Sequence, residues 1–269
     1  MRYAAFTVDV DRDINEPRSG QLEGCSRGYP TPRFSSTLRG TALLADLLNE
    51  LGIKGTFFLE GEMAERCGKG ELYALLHGQE IASHGYAHED LTGTSTGIIP
   101  SIDWLDAIVG RSLAAIEDAF GRRPAGFRAP YQHFDGTVAS VLARRGLVYD
   151  SSLFADAPGR PYRLQEGLME VPLLQGTGPD GRRMQSYLWP LHEGRRPPSH
   201  YLHLMPQQEG GVMVLADHSW HVVESLKGPR TDDQIEQEMG SVRAILEGLL
   251  EQGVEFMTLE EHVARGSEW

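Results

Sequence analysis

Short apolar runs alternate along this chain with longer stretches in which apolar residues recur every three or four positions. The short runs predict β-strands at Tyr3–Val10, Gly55–Glu60, Glu80–His84, Gly126–Ala129, Leu147–Ser151, Leu168–Leu174, Val212–His218 and Glu255–Leu259. The longer stretches predict helices. Thr37–Leu51 carries Leu38, Leu43, Leu44, Leu47, Leu48 and Leu51 as a stripe, with Ser35 or Ser36 as its cap and Gly52 as its stop. Trp104–Phe120 and Gln234–Glu251 read the same way, and Asp135–Arg145 is a shorter case. Strand–helix alternation of this kind predicts an α/β fold with a parallel sheet covered by helices. Repeated without a linker or low-complexity segment over 269 residues, it predicts one barrel-like domain spanning 1–269. Chemistry in such barrels gathers on loops at the C-terminal ends of the strands.

Two stretches interrupt the alternation. Asp11–Phe34, rich in Gly, Pro and Arg, follows the first strand, and Gly176–Gln208 contains Pro190, Pro197 and Pro198. Loops this long in a compact domain commonly serve function. Both are expected on the rim of a substrate groove.

Charge narrows the partners. The formal net charge is −13, from 38 acidic and 25 basic side chains. Such a surface repels nucleic acid and anionic membranes, and says nothing about a small neutral ligand. Cys25 and Cys67 lie far apart with no CxxC motif, which argues against a cysteine metal site and for two free thiols. No run of about 18 apolar residues is present, so no transmembrane segment is expected. The opening MRYAAFTVDV lacks a signal-peptide pattern, and a cytoplasmic location is expected.

Several predicted strands end in ionisable residues. The first ends in "DVD", and residues two apart in a strand share a face, so Asp9 and Asp11 come together. Two close carboxylates in a poorly solvated place repel unless a cation lies between them. A solvated turn is the plain alternative. The third strand ends in "SHGYAH", with His84 and His88 four apart. Asp plus two His makes a three-ligand site with open positions, the set used by catalytic zinc and also by non-haem iron. Arg128, in "FRAPY", could hold a carboxylate ionised, or could be a surface arginine. Asp150, in "YDSSL", is available to accept from Arg128 or a histidine. His218, in "LADHSW", is placed to act as an acid. His133 is a candidate substrate contact. His77, His192, His200, His203, His221 and His262 read as ordinary histidines.

In this order, DVD, HGYAH, RAPY, YDSS and LADH resemble the NodB-type polysaccharide deacetylases, metal-dependent hydrolases that remove acetyl groups from N-acetylated sugars. "GTFFLEGEMAE" at 55–65 is similar to them too, and the likeness runs over nearly the whole chain. The resemblance implies a distorted (β/α) barrel of seven strands. It also implies roles: Asp9 as general base; Asp11, His84 and His88 as ligands of a divalent metal, zinc being the expected ion; and Arg128 orienting Asp9. The Tyr131 N–H would help hold the oxyanion, and His218 would be the general acid with Asp150 steadying the arginine–histidine side. Leu215 and Trp220 would line the acyl pocket. Most members carry adjacent aspartates, whereas here Val10 separates them. The spaced form resembles a cytoplasmic branch that includes peptidoglycan deacetylase-like and cyclic-amide hydrolase-like proteins, and also deformylases of lipid-linked aminosugars.

The implied activity is hydrolysis of an N-acyl group, acetyl or formyl, from an aminosugar or related small amide. A cyclic-amide hydrolase of the same fold and a catalytically silent sugar-binding relative are the alternatives. A non-haem iron oxygenase would need an antiparallel β-helix, which the helix-rich alternation opposes.

Overall fold

The first strand lies at the centre of a curled sheet. The structure, a computed structural model, describes residues 2–157, 159–164, 167–205 and 211–266. Its parallel strands in chain order are β1 (Arg2–Val10), β2 (Thr56–Leu59), β3 (Glu80–Ser83), β4 (Gly126–Phe127), β5 (Tyr149–Asp150), β6 (Leu173–Thr177) and β7 (Val212–His218). They lie side by side in the order β6–β7–β1–β2–β3–β4–β5. β1 is buried almost throughout because it is flanked on both edges and covered on both faces.

Met169–Glu170 adds a further parallel rung beside β5. Only Val171 and Pro172 separate it from β6, yet no ladder joins the two among the described residues. Proline has no N–H for a ladder. The predicted strand Leu168–Leu174 is therefore split, and the chain itself turns the corner where the sheet does not close. This is the distorted barrel that the sequence resemblance implied. The predicted strand Glu255–Leu259 also needs correcting. Val254–Phe256 pairs with the start of β1, but Thr258 caps the helix Leu259–Arg265 by accepting from the Glu261 N–H.

Four helices answer the predicted ones: α1 (Ser35–Glu50), α2 (Ile102–Phe120), α3 (Gly136–Arg144) and α4 (Asp232–Glu251). Ser101, Asp135 and Thr231 cap the last three with their own side chains. α1 differs, because neither Ser35 nor Ser36 caps it. The Asp13 carboxylate accepts from the Ser36 N–H (3.1 Å) and the Thr37 N–H (2.8 Å), so the loop after β1 caps the helix from a distance. A carboxylate at a helix N-terminus also suits the helix dipole. Asp13→Ala is expected to cost about 1–2 kcal/mol, read as a lower midpoint in urea unfolding; an unchanged midpoint would show the cap to be idle.

Period-two alternation decides what faces the barrel interior. On β1, Ala4, Phe6, Val8 and Val10 enter the main core with Leu44 and Leu48 of α1 and Leu246 and Leu249 of α4. Ala5 enters the inner cluster, and Thr7 and Asp9 follow it on that face. On β7, Val212, Val214 and Ala216 face inward, and His218 continues the series.

The two loops are not structureless. Asp11–Phe34 contains an antiparallel hairpin, Asn15–Arg18 with Gln21–Ser26. Gly176–Gln208 contains the strand Arg183–Gln185 and the helices Trp189–His192 and Pro198–His203; its last residues, 206–208, lie outside the described residues.

Candidate active site

β1 and β7 run in register with Asp9 directly opposite His218. Asp9 is 2 % exposed, and both of its oxygens are held. Arg128 Nη1 donates to Oδ1 at 2.9 Å, and the Tyr187 hydroxyl donates to Oδ2 at 2.6 Å. Arg128 is wholly buried and also donates to Thr7 Oγ1, to the Ser151 carbonyl and to Ser151 Oγ. Its guanidinium lies over the Phe58 ring. Burial works to raise the Asp9 pKa. Arg128, then His84 and His218, and the Tyr187 hydrogen bond outweigh it and hold the carboxyl below its ordinary value. Asp9 is therefore an ionised acceptor in a dry place.

Asp11, His84 and His88 converge beside it. Ligand atoms of the three lie within 4.8 Å of one another, and all three residues are buried. The turn after β3 explains how a spacing of four achieves this without a helix. Gly85 has φ +75°, and a Cβ there would lie 2.7 Å from Glu89 Oε2. That carboxylate accepts from the Tyr86 and Ala87 N–H groups and folds the turn back, with His88 itself at φ +54°. His84 Nδ1 lies 2.9 Å from the Arg128 carbonyl, which can only accept, so Nδ1 carries the proton and Nε2 keeps a lone pair. Asp11 Oδ1, His84 Nε2 and His88 Nδ1 are buried with no hydrogen-bond partner. Burial, then the charges of Asp9 and Glu60, push the Asp11 pKa well up. Burial keeps both imidazoles neutral. His88 Nε2 lies 3.1 Å from Asp11 Oδ2. One carboxylate and two neutral imidazoles this close, each with a buried atom left unpartnered, fit a divalent cation.

His218 stands across from this trio. Its Nε2 lies 3.7 Å from Asp11 Oδ2 and 3.0 Å from the Tyr187 oxygen. Burial pushes its pKa down to about 3, only partly opposed by Asp9. Behind it, His192 Nε2 lies 3.0 Å from Asp217 Oδ1, and His192 Nδ1 lies 2.8 Å from Glu238. Burial opposes charge on His192, but Asp217 and Glu238 raise its pKa to about 9. His192 and His221, which faces Glu193 at 2.9 Å, are thus parts of a buried polar layer and not the ordinary histidines the sequence suggested.

Residues 37–149 match the polysaccharide deacetylase family. That stretch is less than half of the chain, and it makes the chain similar to that family over those residues. Among its relatives is a peptidoglycan deacetylase-like protein of Gibberella zeae, 32% identical over 150 residues, which are 55% of this chain and 42% of that protein. Chitin deacetylase 1 of Cryptococcus neoformans is 32% identical over 108 residues, 40% of this chain and 22% of the relative. The chain thus spans less than half the length of these curated relatives. A Mycobacterium smegmatis structure assigned to the polysaccharide deacetylases superposes with a TM-score of 0.65 at 24% identity, covering 98% of this chain and 89% of the other, and shares the fold.

The site opens into a cleft of about 450 Å³. Asn15, Glu16, Pro17 and Arg27 line it from the first loop, and Gln185, Tyr187, Trp189 and Pro190 from the second. Tyr131, at φ +56°, stands at the lip with its ring 4.4 Å from that of His88. Other expected contacts are placed differently. Leu215 lies on the outward face of β7, one residue out of phase with His218, and packs in the main core. Trp220 is fully buried against His221 behind the cleft; Trp189 takes the lining position. Asp150 bonds Ser152 and not Arg128, which Ser151 holds instead. It therefore acts at one remove, since Ser152 Oγ also accepts from the Ala129 N–H. His133 is turned toward Asp90, 3.0 Å away. Tyr187 had no signal in the sequence beyond its place in a long loop with Trp189 and Pro190. Asn15, which donates to Asp11 Oδ2, had none either.

Proposed function

We propose that the chain is a divalent-metal-dependent hydrolase that removes an N-acyl group, acetyl or formyl, from an aminosugar or related small amide. One observation carries this reading: buried, unpartnered atoms of Asp11, His84 and His88 gather beside an ionised carboxylate and an imidazole, and His84, His88, Asp9 and His218 line one cleft. The deacetylase names of its relatives support it.

Asp11, His84 and His88 would hold the ion, with zinc the proposed metal. When bound, a divalent cation supplies Lewis acidity that makes water nucleophilic near neutral pH. Asp9 accepts the proton of the attacking water, because Arg128 keeps it ionised and it lines the cleft. His218, on the neighbouring strand, protonates the leaving nitrogen, which cannot depart as an amide anion. The Tyr131 N–H, at the cleft lip, would donate to the developing oxyanion. Trp189 and Pro190 give the acyl group an apolar wall.

Protein purified without added metal should carry about one divalent ion per chain and release primary amine from N-acetyl or N-formyl aminosugars. Chelation should remove both properties, and His88→Ala should lower the bound metal at least tenfold. Full amide turnover by chelated, metal-free protein would overturn the reading.

A further inference from the structure

We infer that Tyr187 is a further catalytic residue, whose hydroxyl returns the proton collected by Asp9 to His218. This rests on the roles given to Asp9 and His218 above. Each turnover leaves Asp9 with one proton too many and His218 with one too few. A path between them restores the site without exchange with solvent, and both are buried, at 2 % and 8 % exposure. No hydrogen bond or ion pair joins them directly among the described residues, although they are opposite neighbours on β1 and β7. Tyr187 fills that gap. Its oxygen lies 2.6 Å from Asp9 Oδ2, 3.0 Å from His218 Nε2 and 3.3 Å from His218 Nδ1.

A phenol offers one proton and two lone pairs. While Asp9 is a carboxylate, the phenol proton points at it. Once Asp9 holds the proton of the attacking water, the direction reverses. The Asp9 O–H bond breaks as a new O–H bond forms on the Tyr187 oxygen. The original Tyr187 O–H breaks as an N–H bond forms on His218. Asp9 returns to a carboxylate, Tyr187 ends neutral as it began, and the imidazolium gives its proton to the leaving amine. Water's proton has reached the product nitrogen, and no other reactant is consumed.

The hydroxyl is held where the relay needs it. Residue 187 bridges to Ala216 of β7. The Leu188 N–H donates to the Ala216 carbonyl at 2.7 Å, and the Ala216 N–H donates to the Ser186 carbonyl at 3.0 Å. Ser186 Oγ donates to the Val214 carbonyl, so the segment is tied to the strand that carries His218.

The test compares two leaving groups. Wild type and Tyr187→Phe are assayed on N,N′-diacetylchitobiose, whose amine must be protonated, and on 4-nitrophenyl acetate, whose phenolate leaves without a proton. For the amide, kcat should fall about 100-fold with KM within about twofold. The loss on the ester should be at least tenfold smaller than the loss on the amide. Equal losses on both substrates would show a packing role and overturn the relay, as would an unchanged amide kcat. A wild type inactive on both substrates would instead overturn the hydrolase reading, and the relay with it. Should the variant fail to fold, wild-type rates in mixtures of light and heavy water decide the matter. A curved dependence of kcat on deuterium fraction is expected, since more than one proton moves, and a straight line would overturn the relay.

Discussion

Asp9→Asn should lower amide turnover by about 1,000-fold or more in protein that still takes up its metal. The side chain keeps its shape but can no longer accept the proton of the attacking water. Asp11, His84 and His88 do not touch position 9 through any hydrogen bond, so metal content by elemental analysis should stay at the wild-type level. Arg128 then faces a neutral amide, and some loss of thermal stability should accompany the change. Turnover must therefore be measured on folded protein. Asp9→Asn protein that hydrolyses the amide at more than a tenth of the wild-type rate would remove Asp9 from the role of base.

Arg128→Gln should have the largest effect on stability. It strips the cation from a buried carboxylate, and breaking such a pair on one side costs about 3–5 kcal/mol. It also removes donors from Thr7 and from both oxygens of Ser151, which tie β1 to the segment after β5. Urea unfolding should show the loss. The double variant Asp9→Asn/Arg128→Gln should recover part of it, because no lone charge then remains inside. If the single arginine variant unfolds at the wild-type midpoint, the buried pair contributes nothing to the fold.

The readable parts of this molecule were those set by neighbours in sequence. β1 and β7 are near-continuous apolar runs, and their ends fall where the pattern places them. The cluster of Asp11 with His84 and His88 was visible because each motif is local and both sit at strand exits. What was hidden depends on distance or on phase. Asp13 caps α1 across a loop, and no local rule favours it over Ser35 or Ser36. Leu215 was expected in the cleft from the family resemblance, yet it lies three residues from His218 along a strand, which reverses the face. Tyr187 reaches Asp9 across 178 positions of sequence, from a loop whose path only the packed structure reveals. Pro172 was present to be read, but its effect on the sheet appears only where β6 leaves the ladder.

The placement of the site along the chain has a consequence for its assembly during synthesis. Asp11, His84 and His88 sit on the loops that directly follow β1 and β3, all within residues 11–88. His218 ends β7, and β1 keeps one long edge without a partner until residues 212–218 arrive. A growing chain can therefore gather the three proposed metal ligands long before it owns the proposed proton donor. Ribosome-bound or truncated chains that stop short of β7 would hold an ion they cannot use, with an open strand edge prone to pairing with the wrong neighbour.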